Sequence, residues 1–288
     1  MRKEMTMKDS YYEGKVAVVT GGGGLLSSVL AKDLAQKGAK IALLDLRREN
    51  AQNVADEIEA AGGTVKIWAA DVTDEQAMTE IAEEIKSTLG PCRFLLNGAG
   101  GNQNKAITTN FYFDPAELEE HDSSMVGFFD LDMDIFANVL RINTIGTVIP
   151  SRVFGRQMAA AHEGAIINFA SMNSYRPLTR VPAYAMSKAA IVNWTQWLAT
   201  YFASAGIRVN GVAPGFFIND RSIKILGSPE TGLTQRGQNV INHMPMQRFG
   251  SPEELVGCIS WLLDDRAAAY VTGITVPVDG GFLAHPGI

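Results

Sequence analysis

The sequence predicts an α/β fold with a doubly wound parallel sheet of about seven strands and helices on both of its faces. Two observations predict it. Seven short apolar runs alternate with amphipathic helical segments, and the runs are nearly continuous instead of alternating with polar residues. Continuous apolar runs are typical of strands that are covered on both faces. Helical segments between successive strands supply the crossovers that parallel strands require.

The predicted elements follow one another in regular order. The strands are KVAVVT (15–20), AKIALLD (39–45), TVKIWAAD (64–71), RFLLNGAG (93–100), GAIINFAS (164–171), IRVNGVAPG (207–215) and GITVPVDGG (273–281). Among the helices, ENAQNVADEIEAAGG ends in a Gly-Gly stop, and Asp74 can cap the helix DEQAMTEIAEEIKSTLG. No repeat or linker divides the chain, so we expect residues 1–288 to form one domain.

The composition excludes several classes of function. A hydrophobic content of 46% and a charged content of 19% are typical of a soluble globular protein. The net charge of -6 argues against nucleic acid or a membrane as a partner. The N-terminal MRKEMTMKDSYYEGK lacks the apolar stretch of a signal peptide, and no apolar run approaches the roughly 20 residues of a membrane-spanning helix. We therefore predict a cytoplasmic protein. The cysteines and histidines lack metal-binding spacing, so we predict no catalytic metal.

Two long segments, 101–132 and 216–250, interrupt the alternation of strands and helices. Both are too long for ordinary loops, and both follow predicted strands. Open α/β sheets bind their ligands at the carboxyl ends of the strands. We therefore expect these two excursions to form the walls that face a substrate.

The loop TGGGG, which follows the first strand and opens a helix, is the first candidate binding element. A dinucleotide needs a tight turn, free backbone amides and the positive end of a helix. The fingerprint G-x-G-x-x-G cannot be laid on this loop, because Leu26 and Ser27 stand where its last glycine is needed. The glycines Gly21–Gly24 can still supply the turn, and the Ser27 hydroxyl can donate to a phosphate. We expect this loop to hold a dinucleotide.

Asp45 at the end of the second strand supports that expectation. A carboxylate at this place accepts hydrogen bonds from the ribose hydroxyls of NAD and repels the 2′-phosphate of NADP. Arg47 and Arg48 follow at once and can accommodate such a phosphate. The pattern therefore favours NAD over NADP without excluding NADP.

The segment YAMSK places Tyr184 and Lys188 one helical turn apart on the same face. A tyrosine with a pKa near 10 is a poor acid or base at neutral pH, and a nearby ammonium group favours its phenolate. Ser171 follows the strand AIINF and lies at the same sheet edge as the glycine loop. These three residues are the candidate catalytic groups.

With these motifs the chain resembles the short-chain dehydrogenase/reductase family, a family of Rossmann-like NAD(P)-dependent enzymes, over nearly its whole length. The matching motifs are TGGGG, LLDL with Asp45, ADVTD, NGAG, RINTIGT with Asn143, FASMNS, YAMSK, VAPG and VDGG, in the order of the family. The resemblance implies that Tyr184 is the general acid/base, that Lys188 lowers its pKa and holds the nicotinamide ribose, and that Ser171 binds the substrate oxygen. It implies that Asn143 anchors a water that links Lys188 to solvent.

The resemblance also implies which residues contact the cofactor. The expected cofactor-binding residues are Gly21, Gly23, Gly24, Leu26, Asp45, Asp71, Val72, Asn97, Ala99, Gly100, Tyr184, Lys188, Pro214, Gly215 and Phe217. Asp71 and Val72 match the adenine contact. The family's loop usually reads T-G-x-x-x-G-x-G, so Leu25 and Ser27 replace two glycines here and imply altered packing against the dinucleotide. Asn219 stands near the place of a threonine that bonds the nicotinamide carboxamide.

The long excursion after NGAG, together with FFDLD and ASMNSYRPLTRVPAY, resembles a subgroup of D-mannonate oxidoreductases (fructuronate reductases) and gluconate 5-dehydrogenase-like enzymes. A sugar acid suits the polar residues near the predicted site and favours an arginine for its carboxylate. The expected substrate-binding residues are Ser171, Asn173, Tyr184 and Asn102, with Gln103, Arg176 and Arg221 as further candidates.

Two other functions stay open at this point. One is a carbonyl reductase for other substrates, such as 3-oxoacyl thioesters or cyclic ketones, which the acidic net charge disfavours. The other is a dinucleotide-sensing protein that retains the fold without the reaction, favoured only by the altered glycine loop. Members of the family are commonly tetramers, so the resemblance also implies a homotetramer formed through helices in 132–161 and 182–205 and the last strand.

Overall fold

A seven-stranded parallel sheet organises the chain, as expected. The computed structural model describes residues 11–122, 124–218, 223, 226–228 and 232–285. The strands are β1 (Val16–Thr20), β2 (Lys40–Asp45), β3 (Thr64–Ala69), β4 (Cys92–Asn97), β5 (Gly164–Phe169), β6 (Ile207–Pro214), a small hairpin β7 (Gly227–Ser228) and β8 (Gly232–Leu233), and β9 (Thr275–Val278). The order in the main sheet is β3-β2-β1-β4-β5-β6-β9. The doubly wound, Rossmann-like class is thereby confirmed.

The helices lie between the strands, as the crossovers predict. They are α1 (Leu25–Gln36), α2 (Arg48–Ala60), α3 (Glu75–Thr88), α4 (Met133–Ala161), α5 (Pro182–Phe202), α6 (Gln235–Asn242), α7 (Val256–Leu263) and α8 (Asp265–Ala268). Asp74 caps α3 as expected, since its Oδ1 accepts the Ala77 N–H at 3.0 Å. None of the described helices is long and apolar enough to cross a membrane.

Two apolar cores cover the two faces of the sheet. On one face, Leu30 and Leu34 of α1 pack with residues of α2 and α7 against strand residues such as Val19. On the other face, α3, α4 and α5 pack against Val18 and its neighbours. Successive strand residues point to opposite faces and both faces are buried, which explains the continuous apolar runs in the sequence.

Several predicted strands end earlier than expected. The strand predicted at 93–100 ends at Asn97, and the one predicted at 273–281 ends at Val278. The residues beyond these ends leave the ladder and turn across the carboxyl edge of the sheet. The chain order reverses between β1 and β4, so this edge has its crevice where such sheets bind ligands.

Candidate active site

The amides of the glycine loop are used inside the loop itself. The Gly22 N–H donates to the Leu44 carbonyl at 3.0 Å, and the Gly24 N–H donates to Gly21 at 2.8 Å. The Gly23 N–H donates to the Asp45 carboxylate at 3.1 Å. Free amides come instead from the start of α1, because the first N–H groups of a helix have no acceptor within the helix. A phosphate would therefore bind at Leu25–Ser27 more readily than at the glycines.

The glycines serve close packing. A Cβ on Gly21, whose φ is +62°, would lie 2.9 Å from the Ala99 Cα, and one on Gly23 would lie 2.2 Å from the Asn50 carbonyl oxygen. Both positions exclude a side chain. Asn50 is a contact that sequence reasoning missed, because only the folded chain brings α2 against the loop. The expected phosphate contacts at Gly21, Gly23 and Gly24 thus become packing and turn positions.

Ser27 replaces a family glycine by packing against another glycine. A Cβ on Gly98 would lie 2.2 Å from the Ser27 Oγ. The Ser27 hydroxyl is buried and donates to the Thr20 carbonyl at 3.4 Å. The expectation that it donates to a phosphate is therefore wrong, because the hydroxyl points into the packing between α1 and the NGAG segment.

Asp45 lies against the glycine loop at the end of β2. Its Oδ1 accepts the Asn50 side-chain amide at 2.8 Å, and its Oδ2 accepts the Gly23 N–H. These bonds keep a negative charge beside the loop. The Arg48 guanidinium instead donates to the Ile67 carbonyl at 3.1 Å, so it is directed along the sheet edge and away from a phosphate. The arrangement fits NAD better than NADP.

The remaining predicted cofactor residues on this half lie along the same edge. Asp71 accepts the Thr73 N–H and hydroxyl, both at 2.8 Å, and is exposed, while Val72 is buried. The Ala99 N–H donates to the Thr20 hydroxyl at 3.1 Å. Asn97 differs from the expectation, because its side chain points away from the crevice into the core.

The Asn97 side chain is part of a buried polar network. Its Nδ2 donates to Ser151 and to Asn168, both at 2.9 Å. Asn168 in turn donates to the Thr195 hydroxyl at 3.0 Å. Any contact between Asn97 and a cofactor would therefore have to use its backbone.

Ser171, Tyr184 and Lys188 meet at the floor of a cavity of about 330 Å³. The other lining residues are Gly24, Leu25, Leu26, Ser27, Gly98, Gly100, Gly101, Phe169, Ala170, Pro214, Gly215 and Phe217. Ser171 lies close enough to the Tyr184 phenol to lower its pKa. The cavity thus joins the candidate acid/base to the free amides of α1, which is the arrangement that a dinucleotide and a carbonyl substrate require.

Lys188 is held by the backbone beside Ser171. Its ammonium group is buried and donates to the Phe169 carbonyl at 2.7 Å, with Nζ 5.6 Å from the centroid of the Tyr184 ring. Burial lowers the pKa of Lys188 to about 8. The sequence gives no signal for the Phe169 carbonyl as its partner, because backbone groups are not visible in residue identity.

The pKa of Tyr184 departs from the expectation. Burial raises the pKa of the phenol above its usual value, and the nearby Ser171 side chain lowers it in part. The role of Lys188 in lowering this pKa stays a prediction, with its Nζ 5.6 Å from the centroid of the Tyr184 ring. Ser171 provides the lowering contact, while the Lys188 ammonium is committed to the Phe169 carbonyl.

Asn143 fixes the backbone beside the cavity. Its Nδ2 donates to the carbonyls of Gly101 at 2.7 Å and Val139 at 2.8 Å, and its Oδ1 accepts the Gly101 N–H at 3.0 Å. A Cβ on Gly100 would lie 2.4 Å from this oxygen and 3.6 Å from the Lys188 Nζ. Asn143 is therefore adjacent to Lys188, and its role in a water relay stays a prediction.

Asn173 supports Ser171 in place of facing a substrate. Its backbone N–H donates to the Ser171 Oγ at 3.2 Å and its Nδ2 to the same atom at 3.4 Å. Its side-chain oxygen Oδ1 accepts the Leu178 N–H at 2.9 Å. Both the oxygen and the nitrogen of this buried side-chain amide are therefore hydrogen-bonded within the protein. Asn173 orients the Ser171 hydroxyl, whereas we expected it from the sequence to contact the substrate.

The other expected substrate contacts are mostly occupied. The Asn102 side chain accepts the Gln103 N–H at 2.9 Å, and neither residue lines the cavity. Arg176 donates to the His285 carbonyl at 2.5 Å, far along the chain. Asn219 and Arg221 lie outside the described residues.

Beyond β6 the first residues of the second excursion line one side of the cavity. The Gly215 N–H donates to the Val278 carbonyl at 2.9 Å, and a Cβ there would lie 2.7 Å from the Asp279 Cα. Phe217 lines the cavity and bridges to Gly250. Among the described residues no cluster of three histidine, cysteine or carboxylate side chains could hold a metal ion.

The comparisons with known proteins agree with this geometry. A family model described as enoyl-(acyl carrier protein) reductase matches residues 26–283. An uncharacterized oxidoreductase of Bacillus subtilis, UxuB, is 44% identical over 96% of this chain and 97% of its own length. The chain belongs to the short-chain dehydrogenase/reductase family. It is accordingly an oxidoreductase of the kind that acts on alcohol groups.

Two solved structures are similar in sequence and shape. One from Haemophilus influenzae, described as a candidate D-mannonate oxidoreductase with bound NAD, is 42% identical with a TM-score of 0.90, over 96% of this chain and 97% of that one. A candidate NAD(P)-dependent gluconate 5-dehydrogenase from Beutenbergia cavernae, with NADP at low occupancy, is 32% identical with a TM-score of 0.77, over 94% and 98%.

Proposed function

We propose that the protein is an NAD(H)-dependent oxidoreductase that interconverts a secondary alcohol and a ketone on a sugar acid, with D-mannonate and D-fructuronate as the substrate pair. The observation that carries the reaction type is the cavity that Ser171, Tyr184 and Lys188 line together with the start of α1. The similarity to the candidate D-mannonate oxidoreductase supports the substrate pair.

Each residue of the site has a chemical task in this proposal. Tyr184 donates a proton to the carbonyl oxygen in reduction and accepts it in oxidation. Ser171, held by Asn173, donates a hydrogen bond to the same oxygen and stabilises the negative charge that develops there. Lys188, whose ammonium group donates to the Phe169 carbonyl, places a positive charge beside Tyr184 and Ser171. The hydrogen bonds between Asn143 and the Gly101 backbone hold Gly100 and Gly101 in place at the cavity.

The cofactor would bind across the crevice between β1 and β4. Asp45 would accept hydrogen bonds from the adenosine ribose, the amides of Leu25–Ser27 would face the pyrophosphate, and Lys188 with Tyr184 would lie at the nicotinamide ribose. When bound, the nicotinamide supplies or accepts the hydride. The charge of Asp45 and the direction of Arg48 make NAD the preferred form.

A homotetramer remains part of the proposal. Met186, Trp197 and Tyr201 on α5 are 60%, 54% and 65% exposed, and Trp194, Trp197 and Tyr201 stack along one side of that helix. Large exposed aromatic surfaces of this kind are typical of subunit interfaces. Light scattering on the purified protein measures the mass, and a monomer of 31.1 kDa would contradict this part.

The decisive experiment follows NADH consumption with D-fructuronate, other keto sugar acids, 3-oxoacyl thioesters and cyclic ketones, with Tyr184→Phe as the variant. We expect turnover of D-fructuronate that falls about 10²–10⁴-fold in the variant, because the phenol is the only proton donor proposed for the oxygen. Turnover of other ketones alone would retain the mechanism and discard the substrate. Tight NADH binding without turnover of any ketone would favour a sensor.

A further inference from the structure

The connection between Ser171 and Tyr184, residues 172–183, decides how far apart these two groups lie. In the proposed function both side chains bind one substrate oxygen, so their separation has to be held closely. Near Ser171 the connection is held from within, because the Asn173 side chain accepts the Leu178 N–H at 2.9 Å. The residues that follow Leu178 are held by a different part of the chain.

The start of α5 has no side-chain cap. Val181 is its N-cap residue, and the apolar side chain of a valine cannot accept a hydrogen bond from the first turn. Tyr184 is the third residue of the helix, in the turn whose N–H groups have no acceptor within the helix. The position of this turn therefore depends on the residues just before it and on what they contact.

Arg180 joins the start of α5 to the first excursion. Its Nε donates to the Thr108 carbonyl at 2.7 Å, and its own carbonyl accepts the Thr108 N–H at 3.0 Å. Its guanidinium lies 5.6 Å from the centroid of the Phe111 ring. Two residues of the first excursion thus hold the residue that lies four positions before Tyr184.

The backbone of Arg180 is strained. Its φ is +76°, a left-handed value that a residue with a side chain adopts at a cost and that glycine adopts freely. The arginine side chain offsets this cost through its bond to the Thr108 carbonyl, a contact that glycine cannot make. Strain of this kind is concentrated at functional sites, where the surrounding contacts maintain it.

The first excursion also supports Tyr184 by apolar packing. Ala106, in a short 3-10 helix of the excursion, is buried in a small cluster with Val139 of α4 and Ala183 of α5. The Tyr184 side chain packs against the same cluster. The excursion therefore contacts α5 through two sets of interactions, the packing at Ala183 and the hydrogen bonds of Thr108 just before the first turn.

We propose that Arg180 is a positioning residue for the reaction. By joining the start of α5 to Thr108, it holds the Tyr184 phenol at the distance from Ser171 at which both groups reach one substrate oxygen. The inference rests on the proposed function, because it gives the first excursion the task of placing the proton donor of that reaction. This task is the same for any ketone that the site reduces.

Arg180→Gly and Arg180→Lys separate this role from stability. Arg180→Gly removes the bond to the Thr108 carbonyl and relieves the left-handed backbone, so the urea midpoint of unfolding should change little. We expect kcat for the reduction of D-fructuronate by NADH to fall about tenfold to hundredfold, because a small displacement of a proton donor is costly. Arg180→Lys keeps a donor for the Thr108 carbonyl and should recover most of kcat.

His162→Gly is the matched control. His162 also has a left-handed backbone, with φ of 52°, but it ends α4 at the amino edge of the sheet, so its replacement should leave kcat unchanged. Fluorescence titration with NADH should give nearly the same affinity for all variants. The reason is that the proposed cofactor contacts at Leu25–Ser27 and Asp45 lie at the ends of other strands than the one that leads to Arg180.

The pH profile of alcohol oxidation gives a readout that a loss of folded protein cannot produce. The Ser171 side chain lowers the pKa of Tyr184 in part. A phenol displaced from Ser171 loses this effect, so the pH at which D-mannonate oxidation by NAD+ is half-maximal should rise in Arg180→Gly and return in Arg180→Lys. A smaller amount of folded enzyme lowers the rate at every pH and leaves this midpoint in place.

The outcomes distinguish the two proposals. Arg180→Gly with the wild-type kcat and pH midpoint, or with a loss of kcat that follows a lower urea midpoint, overturns the positioning role and leaves the proposed function standing. A wild-type enzyme that reduces only other ketones overturns the proposed substrate, and the same variants are then compared on such a ketone. A wild-type protein that reduces no ketone overturns both proposals.

Discussion

At the amino edge of the sheet two buried arginines share one carboxylate, whereas at the carboxyl edge a buried lysine donates to a backbone carbonyl. Arg93 and Arg208, both buried, donate to Asp265 of α8, with the Arg208 Nη2 bond at 2.7 Å. At the other edge the Lys188 ammonium is buried and donates to the Phe169 carbonyl, and no carboxylate pairs with it among the described residues. One edge uses charge to hold the fold together. The other keeps a charge that burial disfavours beside the candidate catalytic Tyr184.

Lys188→Met removes the buried charge at the carboxyl edge and should have the largest effect of the variants proposed. We expect activity to fall by at least about a hundredfold, because the positive charge beside Tyr184 and the ribose is lost. The free energy of unfolding at pH 7 should instead rise by up to about 2 kcal/mol, since burial of the charged form is costly at about 1.4 kcal/mol per pKa unit and the lost bond to Phe169 offsets part of the gain.

The gain in stability of Lys188→Met should decrease as the pH rises. The pKa of Lys188 is lowered from 10.5 to about 8, so the cost of burying its charge is present below pH 8 and disappears as the pH rises toward 10.5. Urea unfolding at pH 7 and pH 9.5 should therefore show the variant's advantage shrinking. A variant that is less stable at both pH values would contradict the account.

Asp265→Asn tests the other edge. We expect the free energy of unfolding to fall by about 2–3 kcal/mol, because the buried Arg208 loses its counter-charge and the buried Arg93 keeps only the exposed Glu163, and kcat to stay unchanged where the protein is folded. This loss is smaller than for a fully buried ion pair because the Asp265 side chain is 41% exposed. Glu57→Gln, in the exposed pair with Lys32, is the matched control and should change stability little.

Gly98→Ala tests the packing that replaces the family's usual glycine. The new methyl would meet Ser27 Oγ, so we expect a loss of about 1–3 kcal/mol in the free energy of unfolding. Adding Ser27→Gly should restore part of it, because the Thr20 carbonyl at 2.9 Å remains in contact. Gly257→Ala in α7, where a Cβ meets nothing within 4 Å, should be stabilising by about 0.5–1 kcal/mol. Equal losses with and without Ser27→Gly would contradict the pairing.

The smallest expected effect concerns the first excursion. The His121 Nε2 lies 3.1 Å from Asp130, and a hydrogen bond to the Glu119 carbonyl together with that carboxylate raises the pKa of His121. A raised pKa means that the ion pair stabilises the folded excursion below pH 6.5 and that this support is lost as the pH rises through the raised value. Hydrogen exchange of the excursion in His121→Asn should therefore speed up at pH 5.5 and change little at pH 8.

His162→Asn is the control for that measurement. His162 is the left-handed C-cap of α4, with φ of 52°, a conformation that asparagine accepts readily. Its effect on exchange should be the same at both pH values. A pH-dependent change here, or none at His121, would assign the pH response to another group.

The sequence by itself determined the sheet, its helices, the edge that carries the site and the catalytic set. Apolar continuity and glycine, tyrosine and lysine spacing are local properties, so Ser171, Tyr184 and Lys188 could be named and were found together. Asp45 and Asp74 could also be identified from the sequence, because the end of a strand and the start of a helix can be predicted from the residue order.

Only the tertiary structure decided how the groups act. The glycines of TGGGG serve packing against Ala99 and Asn50, and the free amides start at Leu25, because a contact between distant segments has no local signature. The same reason hid the Ser27–Gly98 pairing and the Phe169 carbonyl under Lys188.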